Sequence, residues 1–159
     1  VTANANSKYQ DVPIIKQEQI LKKEEKKPVD KEQLKCMADN IYFEARNEKD
    51  VGKKAVALVT LNRTKKPNYP KTVCGVVYHK LDRYTCQFSW TCYSKRRIKY
   101  PWLYEQCKQI AESVLSENTV NDFTNGATHF RRRNVDTPWD TGRRIKITFT
   151  TRHHIFYKL

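Results

Sequence analysis

Glycine and methionine are scarce, with four Gly and one Met in 159 residues. So few glycines cannot build a GxGxxG phosphate cradle, and no such loop is present. No apolar run approaches the ~20 residues needed to span a bilayer, which excludes an integral membrane helix. The opening VTANANSKYQ lacks a charged start followed by an apolar block, so it does not read as a signal peptide. No CxxC pair and no HExxH motif occurs, which argues against a zinc ribbon, a thioredoxin-like redox site or a zinc amidase. His153 and His154 are neighbours, and adjacent residues on a strand point to opposite faces, so they are poorly placed to share an ion. The expectation is a protein with neither metal nor cofactor. Acids are also in short supply, 17 against 31 Lys+Arg, for a net charge of +14.

Cys36, Cys74, Cys86, Cys92 and Cys107 are odd in number, so at least one thiol stays free in a monomer. Their spacing does not choose partners: two disulfides and a set of buried reduced thiols both remain open.

Residues 1–31 hold seven Lys, five acids and few large aliphatics. Such a segment buries too little apolar surface to offset its ordering entropy and is expected to be a flexible charged tail. The folded domain is expected over 32–159, which carries 24 basic and 12 acidic residues, net +12. Asp30 is a plausible cap for a helix in which Leu34, Met37, Ala38, Ile41 and Ala45 repeat at three and four residues. A second helix behind Asp50 has hardly any polar face from Ala55 to Leu61 and belongs inside the core. KKPNYP breaks the chain, and TVCGVVYHKL predicts a short third helix weakened by Gly75. An irregular aromatic loop follows, and then a helix from Pro101 to about Glu117. Residues 118–126 are turn-rich. Beyond them ATHFRRR is a candidate strand, Ile145, Ile147 and Phe149 alternate with polar residues as a half-buried strand does, and HHIFYKL continues in that style. Helices first and a small antiparallel sheet last make an α+β domain. No internal repeat is present.

Glu44 is the most informative residue. At 100° per residue it falls about 80° from Leu34, on the border of the apolar stripe. A carboxyl there is partly desolvated, which raises its pKa and keeps it protonated near neutrality as a general acid. Periodicity alone favours the other reading, a surface glutamate paired with Arg46 or Lys49. Glu48 falls about 40° from Leu34, so the two acids are expected to share a face and raise each other's pKa.

The segment AxxIYFEARNEKxxGxxAVAxVxLNR, from Ala38 to Arg63, resembles the opening motif of the SleB-like cell wall hydrolases, a family of spore-cortex-lytic enzymes and bacterial and phage lysins. Further matches follow in order: TVCGVVY (Thr72 to Tyr78) leading to QFSWTC (Gln87 to Cys92), GATHF (Gly126 to Phe130) with TPW (Thr137 to Trp139), and HIFY (His154 to Tyr157). The resemblance covers about 34–159. It implies a peptidoglycan-cleaving domain with a fold similar to lytic transglycosylases and goose-type lysozyme, and Glu44 as the catalytic acid. The chain departs from the family pattern at Thr150-Thr151-Arg152, where a glycine is usual, at Asp140, where alanine is common, and at Arg131-Arg132-Arg133, where smaller or histidine-containing stretches are frequent. These departures bear on the shape of the groove rather than on Glu44.

Ordinary glycosidases use two carboxylates ~5 to 9.5 Å apart. As a class, lytic transglycosylases work with one, and the local motif supplies one, so Glu44 is expected to serve as acid and then base in a transglycosylase. Glu48, Asp136 or Asp140 remains available as a second carboxylate that would make a water-adding muramidase. Ser89, Trp90, His129, Trp139 and Tyr157 are the candidates for contacting sugar and acetamido groups, with Phe88, Trp90 and Phe156 equally suited to the core. The positive domain suits an anionic wall polymer. The rival is a nucleic-acid-binding protein using Lys95 to Arg97, Arg131 to Arg133 and Arg143-Arg144 with Tyr93, Tyr100 and Trp102. It makes no use of Glu44, so nucleic acid is not the expected partner. A third reading is a degenerate lysin kept as a wall-binding module. The expected partner is the peptidoglycan glycan strand, the expected state a monomer, and the expected place the cell wall, periplasm or exterior, whether the protein is exported by its own cell or delivered by a phage.

Overall fold

The computed structural model describes residues 13–16, 26–117, 119–135 and 145–159. Helix α1 (Lys31–Ala45) begins where Asp30 accepts the Gln33 N–H at 2.9 Å, a cap that satisfies one of the first turn's orphan donors. Met37, Ala38, Ile41 and Ala45 are buried along its inner face, as the three-and-four spacing requires. Helix α2 (Asp50–Thr64) runs through the middle, with Ala55 to Val59 all buried.

Helix α3 is short, Val73–Val77, capped by Thr72 on the Gly75 N–H. It ends before the expected limit at Leu81. Past Tyr78 the backbone pairs instead across the aromatic loop, with Gln87 N–H donating to the His79 carbonyl and Lys80 bridging Cys86. Non-local pairing therefore takes the residues that local pattern assigned to a helix. Within that loop Ser89–Cys92 makes one 3-10 turn. Helix α4 (Pro101–Ser116) starts with Pro101 in its first turn, where a missing N–H costs nothing.

The cysteines divide four to one. Cys36 is bonded to Cys74, joining α1 to α3, Cys86 is bonded to Cys92 across the loop, and Cys107 is a buried free thiol. Helix α1 packs on α2, α3 and α4, enclosing Met37, Ile41, Tyr42, Val76, Val77, Trp90 and Val114.

After α4, Asn125 and Gly126, with φ of 53° and 80°, make the tight turn that delivers the sheet; only glycine adopts the second angle freely. Asp122 holds this turn by accepting the Gly126 N–H at 2.7 Å, and Asn62 of α2 donates to Asp122 and to the Ala127 carbonyl. Strands β1 (His129–Arg132), β2 (Lys146–Thr150) and β3 (His154–Lys158) form an antiparallel sheet in the order β1–β3–β2.

Phe130 pairs with Phe156, and Ile147 pairs with Tyr157 while Phe149 pairs with Phe156 across an irregular step. That bulge corrects the expectation for β2. Strict alternation would place Ile147 and Phe149 on one buried face, whereas the extra residue turns them to opposite faces. Phe149 packs against the second core cluster, around Ala45, Val56, Val59 and Phe156, and Ile147 is 57% exposed. No helix among the described residues is long and apolar enough to cross a membrane.

Candidate active site

The end of α1, the turn after it, the end of β1 and the β2–β3 turn meet around an open cleft of about 480 Å³. Phe43 to Glu48 line one side, Arg132 to Asn134 and Arg152 to His154 the other.

Glu44 lies in the last turn of α1, partly buried, with its carboxyl in the cleft wall. Burial pushes its pKa up to about 7, against the opposing pull of Arg63, Arg132 and Arg96. The cost of desolvating a carboxylate therefore outweighs three nearby cations. No hydrogen bond to Glu44 comes from the described residues. A carboxyl in this setting is a proton donor near neutrality.

Glu48 does not share a helical face with Glu44. Helix α1 ends at Ala45, and the chain turns so that the Glu48 N–H donates to the Ala45 carbonyl. Its carboxylate is buried and accepts from His154 Nδ1 at 2.7 Å and Thr151 Oγ1 at 3.2 Å. A Cβ on Gly52 would lie 2.9 Å from Glu48 Oε2, so glycine in the first turn of α2 makes room for this acid. Glu48 is thus part of a structural network rather than a partner raising Glu44. His154 has its pKa pulled below the ordinary value by burial, which outweighs its bond to Glu48. It is the neutral imidazole that donates from Nδ1 to the carboxylate.

The aromatic candidates divide. Trp90 is buried, and its indole N–H donates to Asn40 Oδ1 at 2.9 Å. Its ring stacks on Phe43 at 4.6 Å, and it is Phe43 that lines the cleft. Trp90 therefore backs the cleft wall from inside the core. Tyr157 is also fully buried, with His129 stacked on its ring at 5.5 Å and the Thr128 hydroxyl 2.9 Å from His129 Nδ1. Neither ring lines the cleft. Ser89 is exposed at the start of the 3-10 turn and likewise stands outside it. Phe88 and Phe156 are in the core. Trp139, Asp136 and Asp140 lie outside the described residues.

Sequence reasoning passed over Arg63, Phe43 and the Glu48–His154 pair. Arg63 is 4% exposed, lies over the rings of Phe88 and Tyr69 at 5.1 and 5.4 Å, and donates from Nε to the Thr128 carbonyl at 2.7 Å. Its Nη1 is buried with no hydrogen-bond partner among the described residues, so among them one donor of the cation first in effect on Glu44 is unspent. A lone Arg at the end of an apolar helix was a usable signal, because a buried guanidinium needs a carboxylate, carbonyls or ring faces to be tolerated.

Over residues 47–157 the chain matches the Cell Wall Hydrolase family, and it belongs to that family. The match begins just past Glu44, so the case for that residue rests on its surroundings. Among curated proteins, a spore cortex-lytic enzyme from Halalkalibacterium halodurans is 46% identical over 48 residues, a stretch that is 30% of this chain and 14% of that protein. Two solved structures share the fold over 82% of this chain at 25% identity. One is the catalytic domain of the Bacillus cereus SleB protein, TM-score 0.59 with 93% of that chain covered. The other is the catalytic domain of the germination-specific lytic transglycosylase SleB from Bacillus anthracis, TM-score 0.58 with 97% covered.

Proposed function

We propose that this chain cleaves the glycan backbone of peptidoglycan between MurNAc and GlcNAc as a lytic transglycosylase, acting at the wall as a monomer on residues 32–159. The observation that carries the reading is a carboxyl in a cleft wall, held protonated to about pH 7 by burial. Glu44 gives its proton to the bridging oxygen as the bond from MurNAc C1 breaks. The resulting carboxylate, next to Arg63, then takes the proton of the MurNAc C6 hydroxyl, whose oxygen closes on C1 to leave a 1,6-anhydro ring. The proton returns to Glu44 and no water is consumed. Phe43, supported by Trp90, offers a ring face for a sugar.

Among the described residues the single-acid route is favoured over the water-adding one because Glu48, the other carboxylate that lines the cleft, is already engaged by His154 and Thr151. Digestion of purified sacculi by wild type and by Glu44→Gln, followed by mass spectrometry of the soluble products, tests the reading. Wild type is expected to release muropeptides lighter by one water than hydrolysed ones. Glu44→Gln is expected to lose at least ~100-fold of the rate while still pelleting with sacculi, the lower end of what a positioned general acid contributes. Near-full activity in the folded variant would remove Glu44 from the mechanism. Water-added reducing ends from wild type would replace the transglycosylase with a muramidase.

A further inference from the structure

The cleft has a second property that acid catalysis does not use. Four guanidinium groups line it: Arg46 from the turn after α1, Arg132 and Arg133 from the end of β1, and Arg152 from the β2–β3 turn. These segments are far apart in sequence, and the tertiary fold gathers their like charges around one space.

Clustered like charges repel, and the cost persists unless something neutralises them. Among the described residues this happens only in part: Glu44 is protonated up to about pH 7, and Glu48 sets one carboxylate against four guanidinium groups, with its oxygen already bonded by His154 and Thr151. Among the described residues the ion pairs are Lys35 with Asp39 and Lys54 with Glu117, neither involving these arginines. Arg46 is steadied from behind, its guanidinium 5.3 Å from the Tyr42 ring centre. Arg132, Arg133 and Arg152 are exposed at the cleft rim. Planar guanidinium groups take carboxylate or phosphate oxygens two at a time.

We propose that Arg46, Arg132, Arg133 and Arg152 form a subsite beside Glu44 for carboxylates carried by the substrate, so that the preferred strands are those whose peptide stems bear free carboxyl groups. This inference rests on the glycosidase reading and names the substrate class within it. The oxyanion chemistry is shared with wall-linked phosphate polymers; carboxylates are favoured because every stem repeats them within reach of the glycan, and the test separates the two.

The substrate is a glycan strand with intact peptide stems, freed of phosphate polymers, and the same strand with its carboxyls capped as amides by carbodiimide coupling. Both are digested well below pH 7, where Glu44 stays protonated. Wild type is expected to lose at least ~10-fold in kcat/KM on capping, the equivalent of one charge-assisted contact. The triple variant Arg132→Gln, Arg133→Gln, Arg152→Gln is expected to cleave both strands at the capped-strand rate. Removing equal charge away from the cleft, by Lys65→Gln, Lys66→Gln and Lys71→Gln, is expected to leave the preference intact.

Equal cleavage of both strands by wild type overturns the subsite and leaves the glycosidase reading standing, and loss of preference in the lysine variant overturns it in favour of general charge steering. A preference restored only by phosphate-bearing strands overturns the carboxylate assignment. Binding of an uncapped and a capped disaccharide-peptide to Glu44→Gln gives a second readout. Tighter binding of the uncapped form with no cleavage by wild type sinks the glycosidase reading and leaves the subsite.

Discussion

Around Trp90 in the helical half, polar groups are buried in matched pairs: the indole N–H has Asn40, the Tyr104 hydroxyl has Asp39 at 2.8 Å, and the Tyr42 hydroxyl receives the N–H groups of Lys99 and Tyr100. At the cleft, where that half meets the sheet, the accounts are left open. Among the described residues Glu44 is desolvated without a hydrogen bond, one nitrogen of Arg63, which acts on Glu44 from behind the lining, is buried unpaired, and three exposed arginines have no ion-pair partner. Away from the cleft, among the described residues, His79 Nδ1 is the one buried side-chain atom of this kind, so the unmatched groups concentrate where a substrate would supply the partner. Marginal stability tolerates a few such groups only when the rest of the structure offsets them. The contrast extends to the two acids four residues apart in sequence, one with its pKa raised to about 7 and the other tied into the fold.

Removal of a matched group is expected to weaken the fold, whereas removal of an unmatched one is expected to strengthen it. The largest stability effect is expected for Glu48→Ala, which strips an acceptor from both His154 and Thr151. A loss of about 2–3 kcal/mol in urea unfolding is the expected size for charge-assisted bonds at a buried site, and a loss under half a kcal/mol would show that the pair is dispensable. Glu44→Gln goes the other way. Its folded-state pKa of about 7 lies above the ordinary 4.5, so between those values the folded protein binds more protons than the unfolded chain and stability falls as pH rises. Below 4.5 there is no cost, and above about 7 it is complete. The Gln variant is therefore expected to exceed wild type by about 2 kcal/mol at pH 8, allowing for partial solvent contact, and by little at pH 4. Equal thermal midpoints at pH 8 would break the comparison.

Trp90→Phe is expected to cost about 1 kcal/mol, because it leaves Asn40 Oδ1 without its donor; an unchanged urea midpoint would remove Trp90 from the matched set. The smallest effect is on pH alone. Arg132, with Arg63 and Arg96, holds the pKa of Glu44 down, so Arg132→Gln is expected to move the alkaline limb of the rate profile to higher pH. Arg46, Arg133, Arg152, His153, His154 and Glu48 also line that cleft, and they are unchanged in the variant. A limb moved to lower pH would contradict the electrostatics described.

Much of the helical half was legible in sequence because its contacts are local. The Asp30 cap, the apolar stripe from Met37 to Ala45 and the start at Pro101 depend on residues within one or two turns of each other. The border position of Glu44 was legible for the same reason. Extending the wheel to Glu48 failed because the helix had already ended. The strand residues were recognisable by alternation, but the bulge that exposes Ile147 depends on β3, and no period in β2 announces it. Trp90 and Tyr157 illustrate a different limit. An aromatic with a polar handle suits a sugar groove and a core equally well, and only the neighbours choose.

A basic α+β domain, the order of its helices and strands, and one glutamate on the edge of an apolar face follow from local sequence, because periodicity, caps and turn residues act over short distances. Packing settled which cysteines join, that Glu48 belongs to His154, that Arg63 is close enough to pull down the pKa of Glu44, and that Arg46, Arg132, Arg133 and Arg152 line one cleft. Those outcomes depend on desolvation and on distances between residues up to about a hundred positions apart, such as the 2.7 Å from Glu48 to His154, and neither exists until the chain has closed around its core.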